Sequence, residues 1–494
     1  MTTIARELPE AVQKFLADSP KGLWIDNSYS EGGGALIETH DPAQGIALAS
    51  VQSATPADVD RAVTSAEAAQ HEWQRLPGEA RGRILWRIAD LVEDRLEELA
   101  TLEVLDSGRP ITIARGEIAG VVKTFRYFAG WATKVEGRVF EPSSGEFLAY
   151  ARREPVGVCA GIIPWNVPLV ALAWKVAPAL AFGNVMVLKP AELTPLTAMV
   201  FAEITLDAGL PPGVLNVVNG PGPVTGRALA EHPKVRKIAF TGSGEVGRKI
   251  SEYSLGNLKR VTLELGGKSP NIFFPDAPKD HVLGAAIASF TNSGQACTAG
   301  SRTFVHEEIY DEFLEGLVGA ARGLTIGHGL EENTQMGPLI SAQQADRVMD
   351  YIEIGRSEGR VVAGGERIKV DGCTGDAFIQ PTVFVDVPIG SRIEREEIFG
   401  PVTIVSAFRD EDEVLALAND TEFGLAAGIW TTDGRRAHRL AHQLQAGVVW
   451  INSYFAGDPA APFGGYKQSG QGREKGEQAM EMYTEVKSVW SKLS

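Results

Sequence analysis

One cysteine of this sequence lies among residues that leave its sulfur accessible. Small and hydroxylated residues occupy positions 293–294 and 298–301 around Cys297, with Gln295 and Ala296 directly before it. A structural cysteine usually packs among large apolar side chains, because a free thiol behaves as a small hydrophobe. Cys297 is therefore a candidate nucleophile. The local composition leaves a second interpretation open, in which Cys297 is simply a small residue in a tight turn.

A glycine-rich segment suggests a phosphate site. Gly242, Gly244 and Gly247 follow the apolar run 235–240 and precede a probable helix. This is the context of the G-x-G-x-x-G fingerprint, in which backbone N–H groups approach a pyrophosphate at a helix N-terminus. Glycine triplets also occur in ordinary turns, so the segment predicts phosphate binding only together with its strand and helix.

Glu264 has two candidate roles. It lies about 20 residues after the glycine segment, where the fingerprint expects an acid that binds a ribose. It also ends an apolar run just before Gly266 and Gly267. If Cys297 forms an acyl intermediate, Glu264 could instead activate the water that releases the acyl group. Spacing alone does not decide between these roles.

Two further segments carry polar side chains near predicted strand ends. Asn166 stands between prolines in PWNVP, where its amide could donate to an oxyanion or could cap a turn. Lys189 and Glu192 follow the apolar run 185–188. Ligands of α/β sheets bind at the carboxyl ends of strands, whereas the alternative for this pair is a solvated loop.

Composition excludes several classes of protein. The 494 residues carry a net charge of −16, which argues against nucleic acid and against an anionic membrane surface as partners. Three cysteines do not suggest a disulfide framework, so a cytoplasmic location is expected. The first 20 residues lack the apolar core of a signal peptide and predict a short helix. The uncharged run 155–174 is interrupted by three prolines and is read as a strand and loop, not a membrane span.

The pattern of elements predicts an α/β fold. Apolar runs alternate with helical stretches from 155 to 265, which is the order of a parallel sheet covered by helices. Strands near 270–274, 301–306, 402–408 and 426–430 predict a second α/β region. Positions 79–105 keep helical spacing and predict one amphipathic helix with a solvated charged face. The extended segments 137–153 and 483–490 are expected to be edge strands that could pair with another subunit.

Seven motifs occur in one order from 161 to 470: GIIPWNVP, LKPAELTP, FTGSGEVG, ELGGKSPNI, GQACTAGSR, EEIFGPV and PFGGYKQSG. Together they resemble the NAD(P)-dependent aldehyde dehydrogenase superfamily, in its hydrolytic, non-acylating branch. The resemblance covers nearly the whole chain. It implies two Rossmann-like parallel-sheet domains and a small β oligomerisation element.

The resemblance implies a catalytic role for each candidate. Cys297 attacks an aldehyde to give a thiohemiacetal, whose hydride passes to the nicotinamide and leaves a thioester. Asn166 and the backbone N–H of Cys297 hold the oxyanion, and Glu264 activates the hydrolytic water rather than binding a ribose. Lys175 and Glu474 match positions proposed to relay protons. This chemistry needs no metal.

The resemblance also implies a cofactor site for NAD. The carboxylate of Glu192 can accept hydrogen bonds from the ribose hydroxyls of NAD, and it would repel the 2′-phosphate of NADP. Ser243 and Trp165 are expected near the pyrophosphate, whereas Glu397 and Phe399 are expected at the nicotinamide ribose and ring. The full expected set is Ile162, Pro164, Trp165, Lys189, Glu192, Gly222, Gly226, Phe240, Gly242, Ser243, Gly247, Leu265, Glu397 and Phe399.

The expected substrate pocket is roomy and apolar. Small residues occupy several positions that carry larger side chains in other members of the family, which favours a bulky, aromatic or medium- to long-chain aldehyde. No lysine or arginine occurs among these positions, which argues against a semialdehyde with a free carboxylate. The positions are Gly120, Val167, Trp174, Thr291, Ala296, Thr298, Phe455, Gly457 and Phe463.

Two alternatives to a hydrolytic enzyme are a CoA-acylating semialdehyde dehydrogenase and a catalytically silent relative that binds or supports other molecules. Glu264 argues against the first, and the complete set of Cys297, Glu264 and Asn166 argues against the second.

The expected NAD-binding domain comprises 1–129 and 153–260, and the catalytic domain 261–470. Segments 130–152 and 471–494 would form the oligomerisation element of a homodimer or homotetramer.

Overall fold

Parallel β-sheets with helical crossovers form most of the protein. The computed structural model describes residues 8–493, and within them the strands form sheets of eight, seven, three and two strands. The eight-stranded sheet has the spatial order Gly470–Gln471, Arg260–Glu264, Lys237–Thr241, Val158–Ile162, Val185–Lys189, Leu215–Val217, Leu23–Ile25 and Ser28–Ser30. The seven-stranded sheet has the order Arg360–Ala363, Thr382–Val385, Val402–Phe408, Arg302–His306, Pro270–Phe273, Ala426–Trp430 and Val448–Ile451.

The first sheet brings the predicted cofactor residues to one edge. Its five central strands are parallel. In register, Ile162 stands beside Lys189 and Phe240, and Thr241 stands beside Glu264. The carboxyl ends of these strands therefore meet at the same edge, which is where open α/β sheets bind ligands.

The second sheet confirms the second α/β region. Six of its seven strands are parallel, and the edge strand Arg360–Ala363 is antiparallel to its neighbour. The four predicted strands of this region appear at Pro270–Phe273, Arg302–His306, Val402–Phe408 and Ala426–Trp430. Near-continuous apolar sequence fits these strands, because helices cover both faces of such a sheet.

Helices fill the crossovers and the layers around the sheets. The helix after Thr55 begins with a capping box in which the hydroxyl of Thr55 and the carboxylate of Asp58 each accept a main-chain N–H of the other residue. The helices are Glu10–Ala17, Pro56–Arg75, Gly78–Asp94, Leu96–Ser107, Ile111–Trp131, Pro168–Ala181, Leu196–Asp207, Arg227–Glu231, Gly244–Tyr253, His281–Phe290, Tyr310–Gly323, Ala342–Glu358, Arg392–Arg395, Glu411–Asn419, Gly434–Gln443 and Gln478–Tyr483.

The single amphipathic helix predicted over 79–105 is wrong. The structure has two helices, Gly78–Asp94 and Leu96–Ser107, which meet at Arg95 with φ −103° and ψ 21°. The second helix is buried on nearly all sides, and two of its acids bind the N-termini of other helices. Glu103 accepts the N–H of Leu169 at 3.0 Å, and Asp106 accepts the N–H of Leu196 at 3.1 Å. These carboxylates are therefore not a solvated face.

The predicted oligomerisation segments form one small antiparallel sheet. Thr484–Lys492 pairs with Phe147–Pro155, which pairs with Arg138–Phe140. Two of these three strands are edge strands as predicted, whereas Phe147–Pro155 is the middle strand. The two-stranded sheet pairs Leu36–Asp41 with Ile46–Gln52.

Among residues 8–493, no helix has the length and apolar character needed to cross a bilayer.

The division into domains stays a proposal. Strand Arg260–Glu264 belongs to the first sheet, so sheet membership favours a boundary after Glu264 rather than at 260.

Candidate functional site

The loop that carries Cys297 has an unusual backbone. Helix His281–Phe290 ends in a turn where Asn292, Ser293 and Gly294 have φ values of 52°, 57° and 70°. Left-handed conformations are uncommon outside glycine and persist only where surrounding contacts enforce them. Here the hydroxyl of Ser293 donates to the carbonyl of Gly337 at 2.8 Å, and the side-chain oxygen of Gln295 accepts the N–H of Ile340 at 2.9 Å. The position of Cys297 is thus fixed by contacts on both sides of the turn.

Asn166 lies against this loop, as predicted for an oxyanion donor. Its side-chain amide donates to the carbonyl of Gln295 at 2.9 Å, which leaves a second N–H for another acceptor. The main-chain oxygen of Asn166 accepts hydrogen bonds from the guanidinium of Arg109 and, at 3.1 Å, from the amide of Asn292. Two elements far apart in sequence are therefore joined at the loop that carries Cys297.

Burial dominates the electrostatics of the thiol. The pKa of Cys297 is raised to about 12, chiefly by burial and to a smaller extent by the carboxylates of Glu397 and Glu264. The main-chain N–H groups of Cys297 and Thr298 act in the opposite direction, because they donate toward the sulfur. Negative charge on the sulfur or next to it is thus stabilised by backbone donors.

Glu264 is a buried carboxylate without a partner. It is the last residue of strand Arg260–Glu264, and neither carboxylate oxygen has a hydrogen-bond partner within residues 8–493. Burial raises its pKa well above the usual range, with a smaller increase from Glu474 and opposing effects from Lys175 and Arg473. An acid held at raised pKa beside a nucleophile is typical of a general base.

Lys175 and Glu474 form a buried ion pair beside Glu264. The ammonium nitrogen of Lys175 lies 2.5 Å from Oε1 of Glu474 and 2.6 Å from Oγ1 of Thr241. Thr241 is the strand neighbour of Glu264. The structure therefore places both predicted relay residues next to the predicted base.

The cofactor residues of the first sheet converge at its carboxyl edge. The ammonium of Lys189 donates to the carbonyl of Pro190 at 2.8 Å and lies 3.5 Å from the half-exposed carboxylate of Glu192. A Cβ on Gly226 would lie 3.7 Å from the side chain of Lys189, whereas a Cβ on Gly222 would meet nothing within 4 Å. The turn Gly222–Gly226 therefore borders open space beside the strand ends.

Gly242, Ser243 and Gly247 connect the sheet to helix Gly244–Tyr253. The hydroxyl of Ser243 accepts the N–H of Val246 and caps this helix. A Cβ on Gly247 would lie 2.7 Å from the side chain of Leu265, and one on Gly242 would lie 2.5 Å from the ring of Phe240. These glycines allow the close approach of helix and strand that the fingerprint requires.

Glu397 and Phe399 reach the site from the second α/β region. Oε1 of Glu397 accepts the N–H of Gly267 at 3.0 Å, and burial raises its pKa to about 7. The ring of Phe399 meets that of Trp165 edge to face, with centroids 5.2 Å apart. Of the two predicted nicotinamide residues, Phe399 is thus in contact with the PWN loop, which also carries Pro164.

The structure brings part of the predicted substrate pocket together. The rings of Trp174 and Phe463 lie 4.9 Å apart, and Phe455 packs edge to face on Tyr454 at 5.0 Å. Val167 precedes helix Pro168–Ala181, and Thr291, Ala296 and Thr298 lie on the cysteine loop. A Cβ on Gly120 would meet nothing within 4 Å, so this position opens onto free space.

Sequence reasoning missed three residues of the site. Arg109 binds the Asn166 loop, and the hydroxyl of Tyr454 donates to the carbonyl of Thr298 at 2.9 Å. Lys475 lies over Trp174 and near Gly457. None of the nine predicted pocket positions carries a cation, but Lys475 places one beside Trp174 and Gly457. Two of them were signalled only by a predicted neighbour in the sequence, since Tyr454 precedes Phe455 and Lys475 follows Glu474.

Comparisons with known proteins agree with this geometry. A model of the aldehyde dehydrogenase family matches residues 29–489. Human mitochondrial aldehyde dehydrogenase is 48% identical over 478 residues, covering 95% of this chain and 92% of the human protein. The NAD+ complex of an aldehyde dehydrogenase from Bacillus cereus is 45% identical, with a TM-score of 0.96 over 99% of each chain. PnpE of Pseudomonas sp. WBC-3, in complex with nicotinamide adenine dinucleotide, is 45% identical with a TM-score of 0.94 over 96% of this chain and 98% of that chain.

The close approach of Gly267 to the cysteine loop gives a testable prediction. A Cβ at this position would lie 2.3 Å from the carbonyl oxygen of Cys297. Because a shift of the nucleophile by about 1 Å can cost roughly 100-fold in rate, Gly267→Ala should lower kcat by about that factor. The control is Gly256→Ala, where a Cβ would meet nothing within 4 Å. Equal kcat values for the two variants and the wild-type enzyme would contradict the prediction.

Proposed function

Because the chain belongs to the aldehyde dehydrogenase family and oxidises an aldehyde to the carboxylic acid with NAD, we propose that Cys297 is its nucleophile. The observation that carries this proposal is the convergence of Cys297, Asn166 and Glu264 from three separate elements. As the sulfur attacks the carbonyl carbon, the C=O π bond breaks and the thiol proton passes to solvent, which gives a thiohemiacetal in its oxyanion form. The free N–H of Asn166 and the main-chain N–H of Cys297 then donate to the developing oxyanion.

Glu264 completes the reaction as the base for hydrolysis. NAD, when bound, supplies the hydride acceptor that converts the thiohemiacetal into a thioester. The carboxylate of Glu264 accepts a proton from water as that water attacks the thioester, and the acid leaves with the Cys297 thiol restored. Glu474 and Lys175 are positioned to relay the proton away from Glu264, because both interact electrostatically with its carboxyl group.

The residues at the sheet edge fit NAD. Glu192 presents a half-exposed carboxylate beside Lys189, as binding of a ribose diol requires. Ser243 and the first turn of helix Gly244–Tyr253 offer N–H donors for the pyrophosphate. Glu397 and Phe399 would hold the nicotinamide half. The carboxylate of Glu192 supports a preference for NAD over NADP, because it would repel a 2′-phosphate.

Removal of the base tests the hydrolytic step. In Glu264→Gln, a burst of up to one NADH per active site should remain, whereas steady-state kcat should fall by about 100-fold or more. Cys297→Ala should lose the burst as well. Since the pKa of Glu264 is raised, its basic form increases as pH rises, and wild-type kcat should increase with pH while that of Glu264→Gln does not.

Three results would contradict this assignment. Full steady-state turnover of Glu264→Gln would remove Glu264 from the hydrolytic step. Dehydrogenase activity in Cys297→Ala would remove the nucleophile. Acid formation that depends on added CoA would favour the acylating alternative, because the thioester would then transfer to a thiol and not to water.

We propose that the substrate is a bulky, aromatic or medium- to long-chain aldehyde. Trp174, Phe455 and Phe463 supply apolar walls, and Gly120 leaves space beside helix Ile111–Trp131. Benzaldehyde and octanal should therefore have higher kcat/KM than acetaldehyde. Gly120→Leu should lower kcat/KM for the two bulky aldehydes by about tenfold, because the added side chain fills part of the pocket.

Gly116→Leu is the matched control, because it lies one turn earlier on the same helix and also meets nothing within 4 Å. It should leave the substrate preference unchanged. A panel led by acetaldehyde or succinic semialdehyde would contradict the proposed size of the substrate. So would an equal effect of the two substitutions.

We also propose that the three-stranded sheet mediates a homodimer or homotetramer. It exposes apolar side chains on edge strands, including Val139 with 76% and Val486 with 62% of their surface accessible. An exposed apolar edge strand is a site for pairing with another chain.

Val486→Lys should lower the oligomeric mass measured by size-exclusion chromatography with light scattering. Leu255→Lys is the control, because Leu255 is similarly exposed but lies outside this sheet. A monomeric wild-type protein, or an unchanged mass in Val486→Lys, would contradict the proposal.

A further inference from the structure

Lys475 lies at the wall of the substrate pocket. Its neighbour Glu474 forms two main-chain hydrogen bonds with Phe463, each 2.8 Å long. Lys475 itself has φ 60°, a left-handed conformation that is uncommon for a residue with a long side chain. This conformation accompanies an inward side chain, which is only 7% exposed. Backbone conformations of this kind are held at functional sites more often than elsewhere.

The ammonium of Lys475 faces three of the predicted pocket positions. Its nitrogen lies 4.9 Å from the ring centroid of Trp174 and 5.7 Å from that of Phe463. A Cβ on Gly457 would lie 3.8 Å from it. The charge is therefore next to the surfaces proposed to contact the substrate.

The polar partners of this ammonium are incomplete. An ammonium has three N–H donors, but the hydrogen bond described for it goes to the main-chain oxygen of Asp458 at 3.3 Å. No carboxylate within residues 8–493 forms an ion pair with it. Two acids, Asp458 and Glu474, attract the ammonium electrostatically without forming an ion pair with it. Both also bind other groups, since Glu474 binds Lys175 and the carboxylate of Asp458 accepts the N–H of Ala460 at 2.8 Å. A largely buried cation without a directly bound anion is unfavourable.

We propose that Lys475 binds an anionic group at the distal end of the substrate, so that the enzyme favours aldehydes carrying a carboxylate beyond an aromatic ring or a medium-length chain. This inference rests on the proposed function. Trp174 and Phe463 contact the apolar middle of such a molecule, and Lys475 supplies the missing counter-charge for its carboxylate. The attraction from Asp458 and Glu474 opposes the effect of burial, which lowers the pKa of Lys475.

Matched substrate pairs test the proposal on the full-length enzyme with NAD. The pairs are 4-formylbenzoate with 4-methylbenzaldehyde, and 6-oxohexanoate with heptanal, and the measured quantity is the ratio of kcat/KM within each pair. Lys475→Met keeps the length of the side chain and removes the charge. It should lower the carboxylate-to-neutral ratio by about 10- to 100-fold, as expected for loss of a charged hydrogen bond.

Lys475→Arg should retain most of the ratio, and Lys475→Gln serves as a second uncharged variant if the methionine variant does not fold. Lys279→Met is the charge-matched control, because Lys279 is exposed on the loop before helix His281–Phe290. It should leave the ratio unchanged.

Two results would overturn the inference. In the first, Lys475→Met lowers kcat/KM equally for both members of each pair, as expected if the lysine only packs on the two rings. In the second, the wild-type enzyme prefers the neutral member of each pair. Either result leaves aldehyde oxidation intact, whereas failure of the proposed function would appear as absence of Cys297-dependent NADH formation with every aldehyde.

Discussion

The buried ion pair between Lys175 and Glu474 connects the parts of the site. It joins helix Pro168–Ala181 to a segment 299 residues later in the chain. Removing one member would leave the other charge buried without a partner, which is strongly unfavourable. The pair fixes the positions of two neighbouring residues, Trp174, which precedes Lys175, and Lys475, which follows Glu474. It also places a cation and an anion beside Glu264, so the proton affinity of the proposed base depends on it.

The site combines groups whose charged forms are unfavourable in isolation. Burial and, to a smaller extent, two nearby carboxyl groups raise the pKa of Cys297 to about 12. Cys159, inside the first sheet, has a pKa of about 12 as well. The pKa therefore does not distinguish the nucleophile from a structural cysteine. The distinction lies in what surrounds each sulfur, because main-chain N–H groups donate toward the sulfur of Cys297, whereas Cys159 is fully buried within a central strand of the first sheet.

The sequence predicted the parts of the site that lie at the ends of regular elements. Glu264 and Lys189 end apolar runs, so their position at one sheet edge follows from the pattern of parallel strands. The competing ribose role of Glu264 was not excluded by spacing and was rejected only through resemblance. The position of the Lys475 side chain in the pocket could not be predicted. It depends on the left-handed backbone of Lys475 and on the main-chain pairing of Glu474 with Phe463. The spacing of apolar residues also failed to predict the break at Arg95. There the chain forms two helices, and the second carries buried acids.

That break has a consequence for catalysis. Helix Leu96–Ser107 directs Glu103 and Asp106 to the N-termini of the two helices that follow strands Val158–Ile162 and Val185–Lys189. Just beyond its end, the fully buried guanidinium of Arg109 binds Glu117 and the main-chain oxygen of Asn166. A longer continuous helix would carry these groups in another direction. An apolar replacement for Arg109 would leave both Glu117 and the Asn166 carbonyl without this donor. These buried charged groups thus hold the proposed oxyanion donor against the cysteine loop. The same arrangement buries acids that a continuous amphipathic helix would have exposed to water.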